Sequence, residues 1–395
     1  MALLTRGQRF PRIPSGIWAL GLVSLLMDTS SELIHSLLPL FLVDALGASV
    51  LAVGLIEGLA GATALIVKMF SGALSDYWGK RKSLAVLGYG LAALTKPLFA
   101  LAPTAGVVLT ARLLDRVGKG IRGAPRDALV ADITPPEVRG AAFGLRQALD
   151  TAGAFIGPLL AVGLMLWRAN NFRAVFWFAV IPAALAVAVL LIGVREPERH
   201  GGAPRVNPIR RENLKRLSRA YWWVASVGAV FTLARFSEAF LLLRAQQGGL
   251  PIALAPLVMV VMNLVSAAAS YPVGKLSDRV GRGALLALGL AALIAADLVL
   301  AAGAHWLEVF AGVALWGLHR GMTDGLLSAL VADTAPADLR GTAFGVFNFI
   351  SGIAMLAASV LAGLLWERLG APFTFYTGAA FCVLALALGW MRRKS

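Results

Sequence analysis

The chain has 395 residues, 58% of them hydrophobic and only 14% charged, where soluble domains carry about 25% charged residues. That composition excludes a soluble globular protein and specifies an integral membrane protein. The formal net charge of +15 would suggest nucleic acid in a soluble chain, but its placement along this one assigns it to membrane topology and leaves no nucleic-acid role.

The first stretch, MALLTRGQRFPRIPSG, is short and basic with no small-residue cleavage site after it, so it reads as a cytoplasmic tail and not a signal peptide. Apolar runs of helical length then recur to the end, without the alternation of a membrane β-barrel. Twelve spans are predicted, at about 17–44, 51–75, 83–102, 105–132, 140–167, 173–194, 220–247, 252–274, 283–303, 306–333, 340–366 and 372–391. Residues 195–219 form the only long polar segment and divide the chain into an N-terminal six-helix bundle (1–194) and a C-terminal one (220–395). The single cysteine, Cys382, lies in the last run, which rules out a disulfide framework or a thiolate metal cluster.

Basic residues cluster on one side: Arg6, Arg9 and Arg12; Lys80, Arg81 and Lys82; the linker; Arg279 and Arg282; and Arg392, Arg393 and Lys394. The opposite loops are short and nearly neutral. The positive-inside rule therefore places both termini and the linker in the cytoplasm, as expected in a prokaryotic inner membrane.

The halves repeat. ALVADITPPEVRGAAFG, beginning at Ala128, matches ALVADTAPADLRGTAFG, beginning at Ala329, at a shift of 201 residues. GALSDYWGKRK, from Gly72, matches GKLSDRVGRG, from Gly274, at nearly the same shift. A duplicated six-helix unit with copies in parallel orientation is the architecture of carriers that expose one central site alternately to each side.

Within this frame the loop motifs become specific. Gly72, Asp76, Gly79, Lys80, Arg81 and Lys82 resemble the G-x-x-x-D-x-x-G-[RK]-[RK] signature of the major facilitator superfamily, with Gly274, Asp278, Gly281 and Arg282 as a second copy. Arg112 stands where the superfamily's span-four arginine motif places one. Gly153, Gly157 and Pro158 are similar to the g-x-x-x-G-P signature of its drug/proton antiporters. Tyr77 replaces the usual basic residue, and Asp115-Arg116 replaces the Gln-Gly pair of the span-four motif. Asp28 and Glu32, with the run from Asp115 to Gly120, also resemble a prokaryotic subgroup. The resemblance implies the major facilitator fold, a proton-coupled antiporter and a monomer; it names no substrate and implies no cofactor. In physical terms the glycines permit tight turns and close helix approach. Asp76 can accept from a helix N-terminus or pair with a loop arginine, so this loop is a gate. Pro158 removes a backbone donor and bends its helix.

The intramembrane charges mark the candidate site, since each is costly at bilayer depth, roughly 2.5–3.5 kcal/mol on insertion scales. Asp28, Glu32 and His35 are spaced i, i+4, i+7 on one face of span one. Span four carries Arg112, Asp115, Arg116, Lys119, Arg122 and Arg126, its basic residues again on one face. Matching depths sets Glu32 level with Arg116 and Lys119, Asp28 near Arg122, and His35 near Arg112 and Asp115. Span five adds Arg146 and Asp150, while their repeat-mates Phe347 and Ser351 are neutral. Glu238, beside Arg235 in span seven, partly mirrors Glu32, and span ten holds His319, Arg320 and Asp324.

An acid held between desolvation and a nearby cation can take up and release a proton as its surroundings change. Glu32, then Asp28 and Asp150, are the proton-coupling candidates. Arg112, Asp115, Arg116, Lys119, His35, Glu238 and Arg235 are the substrate-binding candidates. Gly72, Asp76, Gly79, Arg81, Asp278, Gly281, Arg282, Gly153, Gly157 and Pro158 are the gating candidates. Gly118, Gly120 and Gly123 match a dinucleotide-binding fingerprint without the strand it needs, and read as packing glycines. The facing arginines make a divalent-metal site electrostatically awkward. No hydrolase, metalloprotease or P-loop motif is present, so the chain is not an enzyme. The reading is an exporter of small amphipathic molecules in exchange for protons. The alternative is a carrier of organic or phosphorylated anions on the span-four arginines.

Overall fold

The computed structural model describes residues 13–78, 80–196, 214, 216–277, 282–336 and 339–391, with backbone alone over 72–78 and at a few further positions. Among these residues the chain is helical and has no strand. In a bilayer the backbone has no water to bond to, so apolar runs satisfy it internally as helices.

Twelve rods result. In the first bundle α1 spans Ser15–Ala45, α2 Val50–Trp78, α3 Arg81–Leu101, α4 Ala105–Ile133, α5 Arg139–Trp167 and α6 Phe172–Gly193. In the second, α7 spans Arg219–Gln247, α8 Leu257–Ser277, α9 Arg282–Ala302, α10 Trp306–Thr334, α11 Arg340–Leu369 and α12 Ala371–Met391. Among the described residues, ten are long and apolar enough to cross a membrane. The others, α4 and α10, have 29 residues each and carry too much charge to qualify by hydropathy, which is where the candidate site lies.

Two rods are broken. The helix of α1 ends at His35 and resumes at Leu38, then closes with a π turn over Phe41–Ala45. The helix of α7 ends at Ala234 and resumes at Ala239. Ser36 and Ser237, one in each break, are related by the 201-residue repeat. Interrupted helices at membrane depth persist where they line a cavity. The sequence reading has Glu238 mirror Glu32; in register its mate is Leu37, so Glu238 corresponds to the break in α1 and not to its helical face.

Within the first bundle α1 packs on α5 and α6, and α4 on α2 and α3. Between the bundles, α2 packs along α11 and α5 against α8. At the face remote from Arg81 the halves are joined by a 2.8 Å hydrogen bond from Gln246 to Asp44 and a 3.2 Å bond from the Leu51 N–H to Glu367.

The gate-loop signature lies largely beyond description. Gly79, Asp278 and Gly281 fall outside the described residues, and Gly72, Asp76 and Arg282 are described in backbone only. Arg81 is described. Its guanidinium reaches the Ala128 carbonyl at 3.2 Å and the Asp132 carboxylate on α4. The Arg81 and Lys82 N–H groups donate to the Glu196 carboxylate at 2.7 and 2.9 Å. Glu196 thus sits on the N-terminus of α3, where a carboxylate is favoured.

Candidate functional site: a central cavity with two unlike walls

Between the two broken rods lies a cavity of about 290 Å³. Glu32 and His35 of α1, Glu57 and Gly61 of α2, and Arg112, Arg116 and Lys119 of α4 line one wall. The opposite wall is Phe236, Leu242, Met259, Trp316 and Met355, together with Arg235, Glu238 and Arg320. The first side is mostly charged; the second mixes three charged groups with aromatic and thioether side chains.

Counting Arg112, Arg116, Lys119, Arg235 and Arg320 against Glu32, Glu57 and Glu238, with His35 neutral, the lining carries a formal charge of +2. Several of these charges are already engaged. Arg112 grips Glu57 in a two-pronged pair, Nε to Oε1 at 3.1 Å and Nη2 to Oε2 at 2.6 Å, the geometry that best suits a guanidinium and a carboxylate. Arg320 meets Glu238 at 2.5 Å. The ring nitrogens of His35 sit against the guanidinium of Arg112 and, at 2.7–2.9 Å, that of Arg116. Glu32 lies 3.6 Å from His35. Lys119 lines the cavity with no ion pair or hydrogen bond among the described residues.

The predicted depth matching is what the structure brings together: Asp28 is 3.9 Å from Arg122, His35 is against Arg112 and 3.8 Å from Asp115, and Glu32 shares the cavity with Arg116 and Lys119. Three candidates stand outside the lining. Asp115 lies behind it, only 2% exposed, bonded at 2.9 Å to the wholly buried ammonium of Lys96, which also donates to Ser31 at 3.0 Å. Asp28 and Asp150 belong to a second cluster further along α1, in which Asp150 is 3.6 Å from Arg126 and 3.7 Å from Arg146. Burial of Arg122 is offset by Asp28 and by the Tyr89 ring, 4.6 Å from its guanidinium carbon.

Gly153 and Gly157 carry the packing that sets α1. A Cβ at Gly153 would stand 3.1 Å from that of Asp28. One at Gly157 would stand 2.7 Å from the Thr29 carbonyl oxygen and 2.8 Å from Glu32 Cβ. α5 thus lies directly behind the two span-one acids, and Pro158 is buried inside it. Gly118 faces the Gly88 carbonyl at 2.6 Å from an added Cβ, and Gly120 faces Val67, so two glycines of the false nucleotide motif are packing residues; Gly123 meets nothing within 4 Å.

Sequence reasoning missed Glu57, Lys96 and Asp297. Each is a lone charge in an otherwise apolar run, which was the available signal.

The major facilitator superfamily model matches residues 20–357 and 239–395. The chain belongs to the major facilitator superfamily. It is 32% identical over 381 residues to an uncharacterised MFS-type transporter of Methanocaldococcus jannaschii, covering 94% of each chain. It is 28% identical over 194 residues to multidrug resistance protein 1 of Bacillus subtilis, covering 48% of this chain and 49% of that one. Multidrug resistance protein MdtH of Photorhabdus laumondii is 32% identical over 154 residues, 39% of this chain and 37% of that one. Among solved structures, the nucleoside transporter NupG superposes with a TM-score of 0.76 at 12% identity, covering 96% of this chain and 99% of that one; at that identity the likeness concerns fold alone. The protein is therefore a multi-pass membrane transporter of a small molecule, with the major facilitator fold, and not an enzyme.

Proposed function

We propose that this superfamily member exchanges protons for small amphipathic molecules by alternating access, and exports them. The observation that carries the reading is that aromatic and thioether side chains are confined to one wall of the cavity while the other is mostly charged, which suits a solute with one polar and one apolar end. The partial likeness to multidrug resistance proteins agrees with it. Residues 1–194 and 220–395 act as the two moving bundles, and 195–219 as a linker that faces the cytoplasm with both termini.

Glu32 is the proton carrier. It faces the cavity beside Lys119 and Arg116, so solute entering against those cations and a proton entering on the acid change one another's electrostatics. Asp28 and Asp150, in the second cluster, relay the proton along α1. Arg81, held to Asp132, belongs to the gate, and Gly153, Gly157 and Pro158 keep α1 and α5 packed as one unit while the bundles rock.

The lining charge of +2 favours a second reading, in which the solute's polar end is an anion seated on Arg116 and Lys119. One comparison separates the two. With a cationic or neutral solute, Glu32→Gln abolishes transport and Arg116→Ala stays partly active; with an anionic solute, Arg116→Ala removes binding itself. Equal transport by wild type and both variants would overturn the site assignment.

A further inference from the structure

The strongest unused group in the molecule is Asp297, in the middle of α9. Its side chain is wholly buried, and neither carboxyl oxygen has a hydrogen-bond partner among the described residues. Buried polar groups are nearly always paired, so a lone carboxyl at bilayer depth calls for a ligand. The repeat sharpens the point. In register, Asp297 is the mate of Lys96 and Trp316 the mate of Asp115. Where the first bundle buries an ion pair, the second buries a carboxyl whose partner position holds an indole.

The surroundings define the ligand. A Cβ on Gly378 of α12 would stand 2.6 Å from Asp297 Oδ2 and 3.1 Å from Phe236 Cε1, so the carboxyl and the Phe236 ring both border a niche that the glycine leaves open. Phe236 lies in the break of α7 and lines the central cavity. It stacks with Trp316, Phe240 and Phe375 at 5.2–5.6 Å between centroids. The ionisable groups on the elements around Asp297 are few. α12 offers Cys382, which is in electrostatic reach of both Asp297 and Arg235 of α7. α10 offers His319, bonded at 2.7 Å to the Gly289 carbonyl two turns away on α9. A metal ion needs several oxygen ligands, and no cluster of three His, Cys, Asp or Glu exists among the described residues. A proton needs one.

We propose that Asp297 is a further proton-binding carboxyl, separated from the central cavity by the Phe236 ring and exchanging its proton with cavity water when the α7 break moves that ring. The idea rests on the proton-coupled reading above, and it puts an acid in each bundle: Glu32 in the open wall, Asp297 behind the aromatic one. The proton leaves to water as the carboxyl ionises, and no other bond changes.

Infrared spectroscopy of the purified protein in lipid tests this with the proton and deuteron as the only probes. Asp297→Asn removes one protonated-carboxyl band that Glu32→Gln leaves in place. On transfer to deuterated buffer that band shifts slowly in the wild type and several-fold faster in Phe236→Ala. Retention of every protonated-carboxyl band in Asp297→Asn overturns the proposal. So does a band whose exchange is indifferent to Phe236→Ala, a comparison that needs no Asp297 variant and holds if Asp297→Asn does not fold. Failure of proton coupling itself is read separately, from proton flux in Glu32→Gln, and does not move this band.

Discussion

The two bundles are copies of one sequence and no longer have the same interior. The first buries ionic partners: Lys96 with Asp115, Arg112 with Glu57, Arg122 with Asp28. The second has neutral side chains, several of them aromatic, at many positions where the first has charged or histidine side chains. The mates of Asp115, Arg122 and Arg146 are Trp316, Thr323 and Phe347, and Phe236 is the mate of His35. Duplication supplied two walls for one cavity, and divergence left one mostly charged and gave the other its aromatic and thioether groups. Each solution obeys the same constraint, that charge at bilayer depth is paired or absent. Lys119, which faces the cavity, and Asp297, which is wholly buried, depart from it.

The comparison can be broken most severely at the buried pair. Lys96→Met leaves Asp115 without its partner, and loss of one member of a buried pair costs about 3–5 kcal/mol. The midpoint of thermal or denaturant unfolding in detergent should fall accordingly. Lys96→Met combined with Asp115→Leu, which removes both charges, should recover most of the loss. A double variant no more stable than the single one would show that the ion pair is not the reason the site tolerates charge.

Arg116 is the next largest. A hydrogen bond to a charged group is worth about 1.5–3 kcal/mol. If the solute is anionic, Arg116→Ala should weaken binding by roughly tenfold to a hundredfold, with little change for a cationic one, as read by solute-induced quenching of Trp316. Gly157→Ala should then cost about 1–3 kcal/mol through overpacking, because its Cβ would press on the Thr29 carbonyl and on Glu32. Gly123→Ala, with open space around it, is the control and should be near neutral. The smallest effect belongs to Glu196 on the α3 N-terminus. Glu196→Gln should cost about 0.3–1 kcal/mol and less in high salt, measured as the salt dependence of the unfolding midpoint.

These effects also separate what is legible in the sequence from what is not. All twelve rods are legible as runs of helical length, and α4 and α10, the most polar of them, carry the charge that marks the site. The charged wall is legible because its residues share helical spacing on α1 and α4, which fixes relative depth within a bilayer. The apolar wall is not, because Phe236, Trp316 and Met259 look like any other lipid-soluble side chain until the helices are assembled. Glu57 lies 55 residues from Arg112, and Lys96 lies 19 from Asp115, so nothing local pairs them. The sequence reading puts Asp115 in the lining for the same reason: its partner Lys96, on the neighbouring helix, turns it away from the cavity.

Proton flux in liposomes containing the purified protein, under an imposed pH gradient, tests the central claim most directly. Amphipathic cations and organic anions would be added in turn to wild type, Glu32→Gln and Asp28→Asn. The account predicts that a transported solute releases protons through the wild type and not through Glu32→Gln. Solute movement and proton release that are equal in all three would contradict it, leaving the span-one acids as partners of the basic face and nothing more.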